Sequence, residues 1–179
     1  MANVAFLLGE DFEDSEFRVP YDRLRAAGHT ISILGVRGTG FVEGKRRQEK
    51  VGLTARPADV RPEDFDALVI PGGYSPDHLR TDIHVVKFVR EFGLMDRLIA
   101  TLCHGPSLLI EADLVDGRRV TSWPSIHADL VNAGAHWEDA AVVEDGNLLT
   151  SRNPGDLEAF SARILERLAV TTARVSEPA

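Results

Sequence analysis

The chain has 179 residues, of which 44% are hydrophobic and 27% are charged, a composition typical of a globular domain. Its formal net charge of −8 argues against sequence-independent binding to nucleic acid and against docking on an anionic membrane, because both need a positive surface. A single cysteine excludes an internal disulfide, a paired-cysteine redox motif and a zinc site made of several thiolates.

Short apolar runs alternate with helical patterns along the chain. The pattern predicts strands at residues 4–8, 30–34, 67–70, 98–102, 142–144 and 148–150, and helices at 15–27, 83–92, 106–111, 125–132 and 157–168. Strands separated by helices indicate an α/β protein with a mostly parallel sheet and helices on both of its faces. A turn signal at 145–147 favours a hairpin between the last two strands.

The segment 41–53 interrupts this alternation, because it is rich in charge and apolar only at its ends. We predict that it forms a small accessory hairpin beside the main sheet. Residues 1–170 are expected to be a single domain, and 171–179 a polar tail.

The first residues lack the charged leader and long apolar run of a signal peptide, and no stretch approaches the ~20 apolar residues of a membrane span. We therefore expect a cytoplasmic protein, in which a lone thiol stays reduced.

That thiol belongs to Cys103, which stands at a sharp turn between a predicted buried strand and a predicted helix. The arrangement is that of a nucleophile elbow with cysteine in place of serine. The helix start favours the thiolate, and His104 offers a base or a second positive charge, so Cys103 should titrate well below the ~8.5 of a free thiol. A cysteine can also be a small buried hydrophobe, but the turn at a strand end favours the nucleophile.

An acidic loop follows the first predicted strand and runs from Glu10 to Glu16. One of its carboxyl groups is expected to project towards Cys103, where it would bond the sulfur or move a proton. The alternative is that these residues only begin a helix. Composition does not choose which carboxyl is involved. The loop has no histidine and no metal-ligand spacing, and we expect no metal ion or other cofactor.

Gly72 and Gly73 follow another predicted strand, and their backbone N–H groups would approach a substrate oxygen closely. Together with the N–H of His104 they would form an oxyanion hole. An ordinary tight turn explains the same glycines equally well. Asp77 lies just beyond this loop, and the sequence around it is also consistent with an ordinary surface residue.

In their order and spacing, several segments together resemble the PfpI family of the class I glutamine-amidotransferase-like superfamily, which includes intracellular proteases, general stress proteins and the Parkinsonism-associated deglycase. The resemblance covers nearly the whole chain. The matching segments are Glu13-Asp14, Pro20-Tyr21 with Leu24, 65–73, 103–106, 132–135, 145–147 and 150–154.

The resemblance implies a flavodoxin-like three-layer sandwich with Cys103 as nucleophile. It selects Glu13 as the carboxyl that contacts the sulfur, and Gly73 and His104 as the oxyanion donors. It also implies homodimers, often assembled into hexamers, in which an acidic residue of a neighbouring subunit orients the histidine. Asp77 holds that position, with a shorter side chain than the Glu of the protease-like branch.

The resemblance also bears on the substrate side of the site. Trp123 stands where relatives often have Tyr, so any role of that phenol hydroxyl is lost, and we expect the indole to lie beside the substrate. The implied activities are cofactor-free conversion of reactive aldehydes, deglycation and peptide hydrolysis, each beginning with a thiolate that attacks an electrophilic carbon. The alternative is a redox-sensing or protective protein in which oxidation of Cys103 is the functional event.

Overall fold

The computed structural model describes residues 1–176, and its elements follow the predicted alternation. In chain order they are β1 (Asn3–Leu7), α1 (Asp14–Ala26), β2 (Thr30–Leu34), β3 (Phe41–Glu43), β4 (Lys50–Gly52), β5 (Ala67–Ile70), α2 (Ser75–Leu79), α3 (Ile83–Gly93), β6 (Leu98–Leu102), α4 (Pro106–Glu111), β7 (Arg119–Val120), α5 (His127–Asn132), β8 (His136–Trp137), β9 (Val142–Asp145), β10 (Leu148–Ser151) and α6 (Leu157–Ser176).

The main sheet has six strands in the order β2-β1-β5-β6-β10-β9. Its pairings are parallel except that of β10 with β9, which is antiparallel and closes at the predicted turn. Parallel strands that are covered on both faces need continuous apolar sequence, and every residue of β5 and of β6 is buried. The predicted parallel sheet and the terminal hairpin are therefore confirmed.

Two hydrophobic clusters lie on the two faces of this sheet. One joins the side chains of Phe6 and Phe17 to those of Phe160 in α6. The other joins Leu68 to the apolar faces of α3, α4 and α5. Helices thus cover both faces, which gives the predicted three-layer, flavodoxin-like sandwich.

Helix α3 shows how local sequence sets an element. Asp82 caps its first turn, because its carboxylate accepts hydrogen bonds from the backbone N–H groups of His84 and Val85 at 2.9 and 3.1 Å. The spacing of its apolar residues puts one stripe against the sheet, namely Val85, Phe88, Val89 and Phe92.

The accessory hairpin is confirmed by the antiparallel pair of β3 and β4, in which Glu43 lies opposite Lys50. The sequence missed α2 and the parallel pair of β7 with β8, because these elements are too short to show a period. The last helix was predicted to end at residue 168, but α6 continues to Ser176, since no glycine or proline interrupts it before Pro178. Of the predicted tail, 177–179 lie outside the described residues. No helix in residues 1–176 has the length and apolarity that a bilayer crossing needs.

Candidate active site

The predicted elbow is present at Cys103, directly after β6. Its φ of 58° lies in the left-handed region, which residues with a Cβ rarely adopt. A side chain at position 105 would clash with the Thr101 hydroxyl and with the Ile70 carbonyl, so the turn requires Gly105. The elbow brings the thiol to the carboxyl edge of the sheet, where only 8% of the residue is exposed.

The backbone N–H groups of Gly73 and His104 lie beside the sulfur of Cys103, where hydrogen bonding to it favours the thiolate and lowers the pKa of the thiol. Gly73 reaches this position with a φ of +74°, and a side chain there would meet the Asp11 carbonyl and the backbone of Phe12 and Glu13. The two N–H groups expected to act together are therefore brought together at the sulfur.

The carboxyl group at the sulfur belongs to Glu16, and the expectation that Glu13 makes this contact is wrong. Glu16 is completely buried, and its side chain hydrogen-bonds that of Cys103. Its Oε2 accepts from the N–H of Gly72 at 2.7 Å. Within the described residues its Oε1 has no nitrogen or oxygen partner.

Helix phase explains why Glu16 is the residue that turns inward. Glu16 shares the buried face of α1 with Phe17, Pro20 and Leu24, which recur at helical spacing. An acidic residue within an apolar stripe is the signal that would have identified it. Glu13 lies at the helix start instead, where its carboxylate pairs with Lys45 at 2.6 Å.

The thiol and the carboxyl group are coupled, and the expected low pKa of Cys103 is not found. Burial raises the pKa of the Cys103 thiol to about 12, and the negative charge of Glu16 adds to this effect, while the N–H groups of Gly73 and His104 oppose it. Burial also raises the pKa of Glu16 to about 7. Helix α4 has only six residues. The lowering of the Cys103 pKa expected from its N-terminus is smaller than the increase caused by burial and by the carboxylate of Glu16. A thiolate therefore forms more readily when Glu16 is protonated.

His104 contacts the thiol on one side and a hydroxyl on the other. Its Nδ1 lies 3.3 Å from Sγ of Cys103, and its Nε2 lies 3.0 Å from Oγ of Ser125. Burial lowers the pKa of His104, and the charge of Lys45 lowers it further, while the charge of Asp77 raises it. Ser125 was not predicted, because it is 21 residues away from His104 in the chain and carries no local motif.

The remaining predicted site residues lie at the edge of this centre. Asp77 is exposed on α2, and its charge acts on His104 of the same chain. The group that contacts Nε2 of His104 within the chain is the hydroxyl of Ser125. The N–H of Gly72 is occupied by Glu16, so this group is not available as an oxyanion donor. Trp123 donates its backbone N–H to the Cys103 carbonyl at 3.0 Å, and 41% of the residue is exposed.

The arrangement supplies a sulfur nucleophile, two N–H donors for a developing oxyanion, and two groups able to exchange protons at the reacting atoms. Among residues 1–176, no set of three or more His, Cys, Asp or Glu side chains is arranged to hold a metal ion.

A three-layer α/β sandwich with a cysteine on a strand-to-helix elbow, a histidine next to it and a buried glutamate at its sulfur defines a class of α/β proteins with a cysteine at the carboxyl edge of the sheet. The comparison with protein families makes this assignment specific. The chain belongs to the DJ-1/PfpI family, whose model matches residues 2–167. The resemblance found in the sequence motifs is thereby confirmed.

Several relatives are similar over nearly their whole length. "Protein/nucleic acid deglycase 2" of Escherichia coli (strain K12) is 42% identical over 166 residues, which cover 92% of this chain and 96% of that protein. "Putative cysteine protease YraA" of Bacillus subtilis (strain 168) is 41% identical over 165 residues, covering 92% and 97%. The crystal structure of Drosophila melanogaster DJ-1beta superimposes with a TM-score of 0.86 at 32% identity and covers 93% of this chain and 90% of its own.

Proposed function

We propose that the chain is a cofactor-independent cysteine enzyme that acts on small reactive carbonyl compounds. The observation that carries this proposal is that the N–H groups of Gly73 and His104 meet at the sulfur of Cys103. When the sulfur attacks a carbonyl carbon, the carbonyl oxygen comes to lie beside the sulfur, where the same N–H groups stabilise its negative charge.

The first step forms a bond between Sγ of Cys103 and the carbonyl carbon, and the electron pair of the C=O bond moves to oxygen. His104 takes the proton of the thiol as this bond forms. Either His104 then passes that proton to the oxygen, or Glu16 protonates the oxygen and recovers a proton from His104. Glu16 suits this task because its pKa of about 7 leaves it partly protonated near neutral pH. The thiol is deprotonated most readily in this same state, since the carboxyl group then carries no charge.

For a 2-oxoaldehyde the remaining steps need no external oxidant. A base, assigned here to His104, moves the hydrogen of the former aldehyde carbon to the neighbouring ketone carbon as a proton. The aldehyde carbon becomes a thioester and the ketone carbon becomes an alcohol. Water then releases a 2-hydroxy acid and restores the thiol, so the overall reaction adds one water to the substrate.

The names of two relatives support an electrophilic carbon as the target, and the burial of Cys103 supports small carbonyl compounds over folded protein substrates. The names of the Escherichia coli and Bacillus subtilis relatives refer to deglycation and to proteolysis, and both reactions are expected to begin at an electrophilic carbon. The thiol is only 8% exposed, which leaves little room for a bulky substrate.

The test is a screen of dicarbonyls and peptides against the wild type, Cys103→Ala and Glu16→Gln. We expect the wild type to convert 2-oxoaldehydes to 2-hydroxy acids, Cys103→Ala to be inactive, and Glu16→Gln to be slower but folded. Full activity of Cys103→Ala would exclude the thiol mechanism, and turnover of peptides alone would replace it by a peptidase.

Oxidation of Cys103 is the second candidate function, and the contact with Glu16 favours it. A protonated Glu16 and the two N–H groups would donate to the oxygens of a sulfinic acid as well as to a substrate oxyanion. Titration with peroxide, followed by mass spectrometry, distinguishes the two functions. Oxidation would be identified as the function by two results together. Low concentrations of peroxide convert Cys103 to a sulfinic acid and no further, and the protein shows no carbonyl turnover.

A further inference from the structure

The charged hairpin of β3 and β4 ends in a turn at residues 44–47, called here the basic turn because Lys45, Arg46 and Arg47 follow each other in it. It is held against the loop between β1 and α1, which carries Glu13. The buried carboxylate of Asp14 accepts hydrogen bonds from three backbone N–H groups of the turn and the residues after it, those of Arg46, Gln48 and Glu49 at 2.9, 3.0 and 2.8 Å.

Two further contacts fix the basic turn. The N–H of Lys45 donates to the Phe12 carbonyl at 2.9 Å. Position 44 is glycine because a side chain there would clash with the Asp14 carboxylate. The turn therefore has a defined place next to the loop that carries Glu13 and leads into the helix of Glu16.

The carboxylates of Glu13 and Asp14 at this turn are buried, whereas the cations of Lys45 and Arg46 beside them are more exposed. Glu13 is a single carboxylate whose side chain is 4% exposed, and it lies 2.6 Å from Nζ of Lys45 and 3.6 Å from Nε of Arg46. The two cations are more exposed, at 36% and 62% of their side chains. Arg47 is engaged with Asp11 and Glu43. The accessible side of the cluster of Glu13, Lys45 and Arg46 is thus positive.

This positive group lies within electrostatic reach of the reacting residues. The charge of Lys45 lowers the pKa of Glu16 and of His104. In the reverse direction, the negative charge of a Cys103 thiolate raises the pKa of Lys45. A substrate group bound to Lys45 is therefore within electrostatic reach of the groups that act on the carbonyl carbon under attack.

We infer that Lys45 and Arg46 form an anion subsite, which selects carbonyl substrates that carry a carboxylate or a phosphate next to the reacting group. This inference rests on the proposed function for the carbonyl part of the substrate. The anion preference itself is a property of the surface beside the sulfur and is measurable without any turnover.

Alkylation of Cys103 isolates the charge preference. Iodoacetate and iodoacetamide react by the same step, in which the thiolate displaces iodide and forms an S–CH₂ bond, and they differ mainly in the charge of the group beside the reacting carbon. The rate with iodoacetate divided by the rate with iodoacetamide does not depend on the thiolate fraction, because both reagents react with the same thiolate. Dividing this ratio by the same ratio for free cysteine removes the intrinsic difference between the reagents. We expect this normalised ratio to exceed unity in the wild type and to fall as salt is added.

The variants are Lys45→Met, Arg46→Met and the matched control Lys50→Met, which removes a lysine from β4 of the same hairpin. Lys45→Met and Arg46→Met should each lower the normalised ratio about threefold to fivefold, the effect of one partly exposed charge. Lys45→Arg and Lys50→Met should leave it unchanged. Arg46→Met leaves the pair of Lys45 and Glu13 in place, so it keeps the test valid if Lys45→Met does not fold.

Substrate assays then distinguish the anion. All substrates compared are 2-oxoaldehydes. 4,5-Dioxopentanoate compared with 2-oxopentanal tests a carboxylate, and hydroxypyruvaldehyde phosphate compared with hydroxypyruvaldehyde tests a phosphate. The expected loss in Lys45→Met falls on KM of the anionic member of each pair. Any of three results would overturn the subsite. The normalised ratio is one or less, Lys50→Met lowers it as much as Lys45→Met does, or neither reagent alkylates Cys103. Absence of carbonyl turnover with an intact ratio would instead overturn only the proposed function.

Discussion

Nε2 of His104 lies 3.0 Å from Oγ of Ser125, while Nδ1 of the same ring lies 3.3 Å from Sγ of Cys103. The imidazole therefore bridges the thiol and a hydroxyl group within one chain. A hydroxyl that accepts from Nε2–H leaves the lone pair on Nδ1, facing the sulfur, so Ser125 is a positioning residue that sets the tautomer in which His104 can act as a base.

We expect Ser125→Ala to lower kcat about threefold to tenfold with little change in KM, since it removes one hydrogen bond of ~1 kcal/mol that orients the base. Steady-state kinetics on the carbonyl substrate found in the screen measures this. Ser125→Thr keeps the hydroxyl and should restore most of the loss. Equal kinetics of Ser125→Ala and wild type would show that the ring is positioned by other contacts.

Variants at position 16 separate charge from hydrogen bonding at the sulfur. Glu16→Gln removes the negative charge that raises the pKa of Cys103 and places an amide donor at the sulfur, so the thiol should ionise at lower pH than in the wild type. Glu16→Leu removes the charge but offers no donor, and burial then acts alone. At about pH 9, iodoacetamide should alkylate Glu16→Gln faster than both the wild type and Glu16→Leu. Equal rates for the Gln and Leu variants would contradict a hydrogen bond from position 16.

His104 is expected to respond in opposite directions to two nearby charges. The charge of Lys45 lowers the pKa of His104, so Lys45→Met should raise it, whereas the charge of Asp77 raises it, so Asp77→Asn should lower it. An NMR titration of the imidazole protons measures both shifts, with Lys50→Met as the control. Shifts of the same sign would contradict the placement of one of the two charges.

The resemblance to the family predicts a homo-oligomer whose sites are completed across an interface, and Asp77 is the residue proposed to cross it. Two inactive variants, Cys103→Ala and Asp77→Asn, are mixed after dissociation and reassembly. Activity should return, because some interfaces then contain both intact residues. Full activity of Asp77→Asn alone, or no recovery in demonstrated hetero-oligomers, would remove Asp77 from the mechanism.

Asp14 is expected to stabilise the basic turn in a pH-dependent way. Burial would raise the pKa of Asp14, but hydrogen bonds from the backbone N–H groups of Arg46, Glu49 and Gln48 lower it overall. Its contribution to the free energy of unfolding is therefore present above the pKa of an unfolded aspartate and lost as the pH falls through the lower folded value.

Asp14→Ala should destabilise the protein by about 1–3 kcal/mol at neutral pH, since it leaves backbone donors without an acceptor. Urea unfolding followed by circular dichroism measures this, and Asp14→Asn, which keeps one oxygen, should cost less. The difference between the wild type and Asp14→Asn should shrink on acidification below about pH 4. A difference independent of pH would mean that the charge of Asp14 does not contribute.

The sequence predicted those features that depend on local pattern. Buried runs identified the strands of the main sheet, and the residues around Cys103 identified the elbow, because a strand end followed by Gly105 and Pro106 permits few other structures. The charged hairpin was identified by its break in the alternation of strands and helices.

The features that were missed depend on three-dimensional placement. Glu13 and Glu16 are three positions apart in one acidic run, and only the rotation of α1 against the sheet decides which of them reaches the sulfur. Ser125 meets His104 through the packing of distant segments. The pKa of Cys103 was predicted from the helix start and from His104, whereas burial and the carboxyl group of Glu16 have the larger effect.

The left-handed backbone of Cys103, with a φ of 58°, also has a consequence for protein engineering. Glycine adopts this conformation without strain, whereas alanine and serine keep the steric cost, which is of order 1–3 kcal/mol for such a residue. A designer who wants this sandwich as an inert scaffold should therefore choose Cys103→Gly, which removes the thiol and relaxes the turn at once. The protein with Cys103 therefore contains backbone strain that lowers its unfolding temperature, and Cys103→Gly does not contain this strain.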